Sequence, residues 1–213
     1  SGRAAMEIIS RELEQITASG LGGATNFSAG LSPYYQLPNY QPIVQTDLDD
    51  RTPLRTNVLQ EFYFQSRLTN TWTGTGYRVI GADQGVGVLY RFSVSTNFRF
   101  LSSDNLSRAF ALAPLTDPSS GFASTNYHRL ADGIVHLRVT AYDQEGRALA
   151  WRSPNQRTNV HRGYQVAWQT AAQQLVPLNS NVILRQDLFP RFADQTRLIF
   201  LSNALPAVLE VEL

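Results

Sequence analysis

Chemistry requires titratable, nucleophilic or metal-binding side chains at workable spacing, and this chain offers few. Its three histidines, His128, His136 and His161, stand apart, with no second donor at a metal-ligand interval and no H-E-x-x-H. His136 falls on the polar side of an alternating segment, which reads as an exposed or structural histidine. Asp47, Asp49 and Asp50 in "TDLDD" could present hard oxygens to Ca2+. The stretch lacks the glycine and closing glutamate of an EF-hand loop, and Arg51 and Arg55 are close enough to neutralise it, so a solvated turn is the expectation. No G-x-S-x-G elbow occurs, and a Ser/His/Asp set drawn from distant positions carries no information in a chain this long.

The glycine pairs "GLGG", "GTG" and "GVG" do not read as phosphate cradles, which need a helix directly behind the loop. Gly85 and Gly87 run into a strand pattern, and Gly74 and Gly76 read as a hairpin turn. Tyr34, Tyr35 and Tyr40 among prolines, or Trp72 between threonines, could form a sugar-stacking platform. Aromatic residues in such loops more often pin the loop to the body of the protein. The expectation is a protein that is not an enzyme, with no catalytic residue, no cofactor, no metal and no small-molecule substrate.

Composition narrows the class further. The 213 residues, 43% hydrophobic and 11% aromatic, suffice for one real core, so a single domain over 1–213 is expected. A net charge of +1 gives no electrostatic reason to expect nucleic acid or an anionic membrane surface. All 18 basic residues are arginine. The absence of cysteine excludes disulfides, iron–sulfur clusters and thiol catalysis. No apolar run approaches the roughly eighteen residues that span a bilayer.

The elements that could position side chains begin with "RAAMEIISRELEQIT", Arg3 to Thr17. Met6, Ile9, Leu13 and Ile16 recur at three- and four-residue intervals as one apolar stripe, with Glu7, Arg11 and Glu14 round the other side. This predicts a helix over about 3–18, stopped by Ser19-Gly20 and Gly22-Gly23. Its start has no capping box, and the natural chain is expected to continue upstream. From Gly20 to Asn57, Gly, Pro, Asn, Ser and Tyr predominate, which predicts an ordered, irregular excursion over the surface.

Strand patterns then take over. They cover Val58–Leu68, Tyr77–Gly81, Val86–Thr96, Ile134–Asp143, Val182–Leu188, Thr196–Ser202 and Ala207–Leu213. In the fourth of these, Val135, Leu137, Val139 and Ala141 share one face, and Asp143-Gln144-Glu145-Gly146 turns the chain into "RALAW". A second helix is expected between Gly163 and Leu175. The predicted fold class is α+β: an N-terminal helix packed on antiparallel sheet, with a β-rich head over about 58–213.

The order of these pieces resembles the type IV pilin-like family, especially the J-type minor pseudopilins of type II secretion and the W-type minor pilins. Ile9, Ser10, Arg11, Glu12, Leu13 and Gln15 stand where the family carries an Ile-Ser/Ala-Arg-Asp/Glu-Leu-x-Gln pattern after its membrane segment. Gly133, Ile134, Tyr142, Asp143, Gly146 and Trp151 are similar to its central strand pair, and Leu205, Pro206, Val208 and Val211 to its closing strand. The resemblance implies a structural assembly subunit at the tip of a secretion pseudopilus or pilus. It implies an inner-membrane anchor in the full-length protein, a periplasmic or filament-borne head, and other minor pseudopilins or pilins as partners through the helix. Met6, Ile9, Leu13 and Ile16 would then be the packing and assembly residues, burying against the sheet for about 1.5–3 kcal/mol per large side chain. An isolated helix of about fifteen residues needs such support. The alternative is a secreted β-sandwich adhesin or carbohydrate-binding module.

Overall fold

The computed structural model describes residues 2–33, 43–46, 53–82, 84–102, 105–113, 126–144, 146, 148–151, 164–167, 176–179, 182–186 and 196–213. Helix α1 (Gly2–Leu13) leads into strand β1 (Thr25–Leu31), a short ribbon β2 (Val44–Thr46) and β3 (Pro53–Thr56), and the long meander β4 (Gln60–Leu68), β5 (Thr71–Ile80) and β6 (Gly87–Asn97). Helix α2 (Asn105–Leu112) and β7 (Tyr127–Ile134) follow. The chain then forms β8 (Arg138–Tyr142), β9 (Ala148–Trp151), β10 (Tyr164–Ala167), β11 (Val176–Asn179), β12 (Val182–Gln186), β13 (Thr196–Leu201) and β14 (Val208–Glu212).

Eight strands form one sheet in the order β11-β12-β13-β1-β4-β5-β6-β7, and four form a second in the order β10-β9-β8-β14. Among the described strands every pairing is antiparallel except β9 with β10. Phe27, Leu31, Phe62, Phe64, Tyr77 and Leu89 of the large sheet share one core with Val139, Ala141 and Leu149 of the small one. The sheets also join at a corner, where the Gln60 amide donates to Leu137 O (2.7 Å) and the Val139 amide to Gln60 Oε1 (2.7 Å).

This architecture corrects the expected α+β fold. The protein is mostly β and β-sandwich-like, with only two short helices among the described residues. The core is sheet against sheet, and α1 contributes only Ala5 and Ile9 to its fully buried side chains. Much of the miss lies in 20–57, read as irregular surface. Its segment Thr25–Leu31 is instead β1, in the middle of the large sheet, with Phe27 and Leu31 wholly buried. The helix expected over about 3–18 ends at Leu13. There the backbone tightens to three-residue bonds, Gln15 N–H to Glu12 O and Ile16 N–H to Leu13 O, before Thr17 N–H joins Gln65 O of β4. Within the span of the second predicted helix, Tyr164–Ala167 is strand β10, and 168–175 lies outside the described residues.

Gly74 and Gly76 are not a turn but interior positions of β5, and their missing side chains make a floor for α2. A Cβ on Gly76 would lie 2.4 Å from the Phe110 ring, and one on Gly74 would meet Tyr63 and Leu106 at 2.9–3.0 Å. On this outer face Leu106 and Phe110 of α2 bury against Tyr63, Trp72, Tyr90, Phe92 and Tyr127. Trp72 is therefore core, not a stacking platform.

Arg78, 1% exposed, fixes the end of α2. Its Nε donates to Glu61 Oε2 (2.6 Å) on the neighbouring strand, its Nη1 to Ala113 O (2.9 Å), and its Nη2 to Phe110 O (3.3 Å). The guanidinium also lies over the Phe110 ring at 4.5 Å. A buried cation thus satisfies the last carbonyls of the helix and a buried carboxylate together. Arg78→Leu leaves both stranded and is expected to cost about 3–5 kcal/mol in urea unfolding, with Arg78→Leu/Glu61→Leu recovering a large share of it. A loss below about 1 kcal/mol for the single variant, the size of one ordinary hydrogen bond, would contradict the role given to Arg78.

Candidate functional site

The twelve residues of α1 lie against the inner face of the large sheet, and one contact fixes how the helix is rolled. Tyr77 and Arg91 are directly opposed on β5 and β6, so their side chains leave the sheet on the same face. Both converge on Glu12. The Tyr77 hydroxyl donates to Glu12 Oε2 (2.5 Å), and Arg91 Nε reaches both carboxylate oxygens at 2.9 and 3.0 Å. The Tyr77 ring is held in turn by Phe62, stacked with centroids 5.0 Å apart.

This clamp turns the helix so that Ala5, Ile9 and Glu12 face the sheet. Of the four residues expected to bury, Ile9 is fully enclosed, whereas Met6, Leu13 and Ile16 are half-buried. Ile16 stands beyond the helix, bridged to Ser66. All four line a groove of about 390 Å³ between α1 and the 205–211 segment. Leu205, Pro206, Leu209 and Val211 form the opposite wall, and Ser10 and Glu14 are its polar margin. Leu209 and Val211 point to the same side as Ala141 and Val139, their partners on β8, and so belong to the inner layer of the sandwich. They stay half-buried because β14 ends the smaller sheet and, among the described strands, pairs only with β8.

A buried asparagine sets the width of this mouth. Asn26 Oδ1 accepts from Ser19 N–H (3.0 Å) and Gln65 Nε2 (2.7 Å), and its Nδ2 donates to Ser202 O and Ala204 O (2.9 Å each). All four of its hydrogen-bonding positions are filled. It ties the segment leaving α1 to the one entering β14, the two sides of the groove.

The remaining chemical candidates are scattered. His136 is buried, accepts from the Val58 amide at Nδ1 (3.1 Å), and has Nε2 3.6 Å from Glu212. His128 is exposed, while His161 and the Asp47, Asp49 and Asp50 cluster lie outside the described residues, as do Tyr34, Tyr35 and Tyr40. Among the described residues no three His, Asp or Glu side chains gather as a metal site, and no helix is long and apolar enough to cross a membrane. Sequence reasoning missed Glu12, Tyr77 and Arg91. The available signal was that Glu12, three residues after Ile9, falls beside the apolar stripe, where a carboxylate calls for a cation.

Burial pushes the Tyr77 hydroxyl well above its ordinary value of 10.0, and the Glu12 carboxylate adds to the shift. Burial raises Tyr63 in the same direction. Above pH 10 the unfolded chain releases these protons while the folded chain keeps them, so stability present below that pH is lost as pH rises. The expected slope is up to about 1.4 kcal/mol per pH unit for each tyrosine in urea midpoints between pH 9 and 11.5. Tyr63→Phe/Tyr77→Phe should flatten it; an unchanged slope would remove both residues as its cause. No family model matches this chain, and no curated protein or solved structure matches it at significance. What the groove does must follow from its own residues.

Proposed function

We propose that this chain is a non-enzymatic assembly subunit, of the minor pseudopilin or minor pilin kind, whose groove beside α1 receives an apolar segment of a neighbouring subunit. The observation that supports the reading is the half-presented stripe. A helix held only for stability would roll to enclose Met6 and Leu13, but the Glu12 clamp holds them toward a groove whose other wall is equally apolar. In this reading the full-length protein is anchored in the inner membrane with its head in the periplasm or on a filament. Its partners are other pilin-like subunits, and no cofactor or metal takes part.

The chain has no cysteine, so single introduced thiols report cleanly. Met6→Cys and Leu209→Cys, treated with a short bifunctional thiol reagent in the native host, are expected to give adducts with a prepilin-type subunit identifiable by mass spectrometry. The exposed Glu7→Cys on the far side of α1 is expected to give none. Absence of any such adduct, together with normal secretion and piliation in cells lacking the gene, would overturn the reading.

A further inference from the structure

Among the described residues, β14 is an edge strand with nothing laid against it. It pairs with β8 alone, in antiparallel register from Val208 opposite Tyr142 to Glu212 opposite Arg138. Alternate residues of such a strand bond to the neighbour, and the N–H and C=O groups of the intervening ones point the other way. No described backbone group answers them. Val208, at the head of the strand, stands 56% exposed.

The groove lies along that edge. Its lining takes in α1 and the 205–211 segment but no residue of β8, so it opens on the side of β14 turned away from β8. A Cβ on Gly2 would lie 3.8 Å from Leu213 Cδ2, and Asn26 joins the segment leaving α1 to the one entering β14. The helix therefore runs back along the strand, with the groove between them. Charge marks both margins of this slot. Glu14 is the charged residue of the lining and has no partner among the described residues. Glu210, on the outer side of β14, meets the neutral hydroxyl of Tyr142, while Glu212 already faces Arg138 at 3.9 Å.

We infer that β14 accepts one further strand, donated by the neighbouring subunit. The donated segment alternates aliphatic residues, which enter the groove, with Lys or Arg, which stay at the margins set by Glu14 and Glu210. This rests on the reading of the groove as an intersubunit site and adds the form of what fills it. A helix would cover the apolar walls but leave the edge amides and carbonyls without partners, whereas a strand satisfies both. A second copy suits the edge poorly, since two β14 strands paired antiparallel about their middle set Glu210 against Glu210.

The test uses the whole chain and a blocked heptapeptide, acetyl-Lys-Val-Arg-Val-Lys-Val-Arg-amide, in titration calorimetry and amide hydrogen exchange. Binding below about 1 mM is expected, with slowed exchange in β14. The same peptide N-methylated at every residue keeps its side chains but cannot pair, and a version with Glu for each Lys and Arg keeps the backbone but reverses the charge. Both should bind at least about tenfold more weakly. Glu14→Lys/Glu210→Lys, at two exposed positions, should invert the charge preference. No binding of the basic peptide, equal binding of its N-methylated form, or a charge preference unmoved by the double variant would each overturn the proposal. So would a dimer of the chain alone in sedimentation that protects β14 from exchange. Crosslinks without peptide binding would keep the intersubunit groove and remove the strand. Peptide binding without crosslinks would remove the pilin-type neighbour and keep the edge as a strand acceptor.

Discussion

A carboxylate on the inner flank of a short helix decides what the inner face of this protein can do. Glu12 is taken up by a tyrosine and an arginine projecting from neighbouring strands, and a partly buried charge so satisfied has little freedom to turn. An apolar stripe alone tolerates rotation by a fraction of a turn, since Leu, Ile and Met can exchange places against a greasy surface at small cost. A hydrogen-bonded charge does not. The clamp therefore converts a non-directional attraction into a defined orientation, and that orientation leaves Met6 and Leu13 at the open margin of the sandwich.

The outer face solves the matching problem differently. Glycines bring α2 down onto the sheet until the Phe110 ring occupies the place of a missing side chain, and Arg78 takes the last carbonyls of the helix. Close approach and carbonyl capture are both short-range, so this helix is held by its C-terminal end. The inner helix is instead held near its end by a side chain. Two faces of one sheet thus carry two helices with independent attachments, and the groove is the space that the inner attachment leaves beside α1.

Much of the strand content was legible, because Gly87–Asn97 and Val208–Glu212 mostly alternate and Gln60–Leu68 carries an aromatic run buried on both faces, the composition strands favour. Thr25–Leu31 was not, since its small and polar residues resemble a loop until Phe27, Ala29 and Leu31 are seen facing one core between two other strands. Gly74 and Gly76 misled for a related reason: glycine marks a turn locally but marks close packing once a partner is known, and Phe110 lies over thirty residues away. The α1 stripe was visible as a stripe. Its roll was not, because the partners of Glu12 depend on the register of β5 with β6, a long-range fact that no local pattern encodes.

Tyr77 and Arg78 are consecutive, and in a pleated strand that sends one to each face. A single residue inserted or lost in β5 upstream of this pair would exchange them, sending the arginine toward Glu12's side and the tyrosine beneath the last turn of α2. Neither helix would then find its ligand, so a misaligned hairpin would forfeit both faces at one stroke. The dipeptide acts as a two-sided lock on strand alignment, adding two lost polar anchorages to the penalty that hydrophobic patterning already sets on an off-register chain.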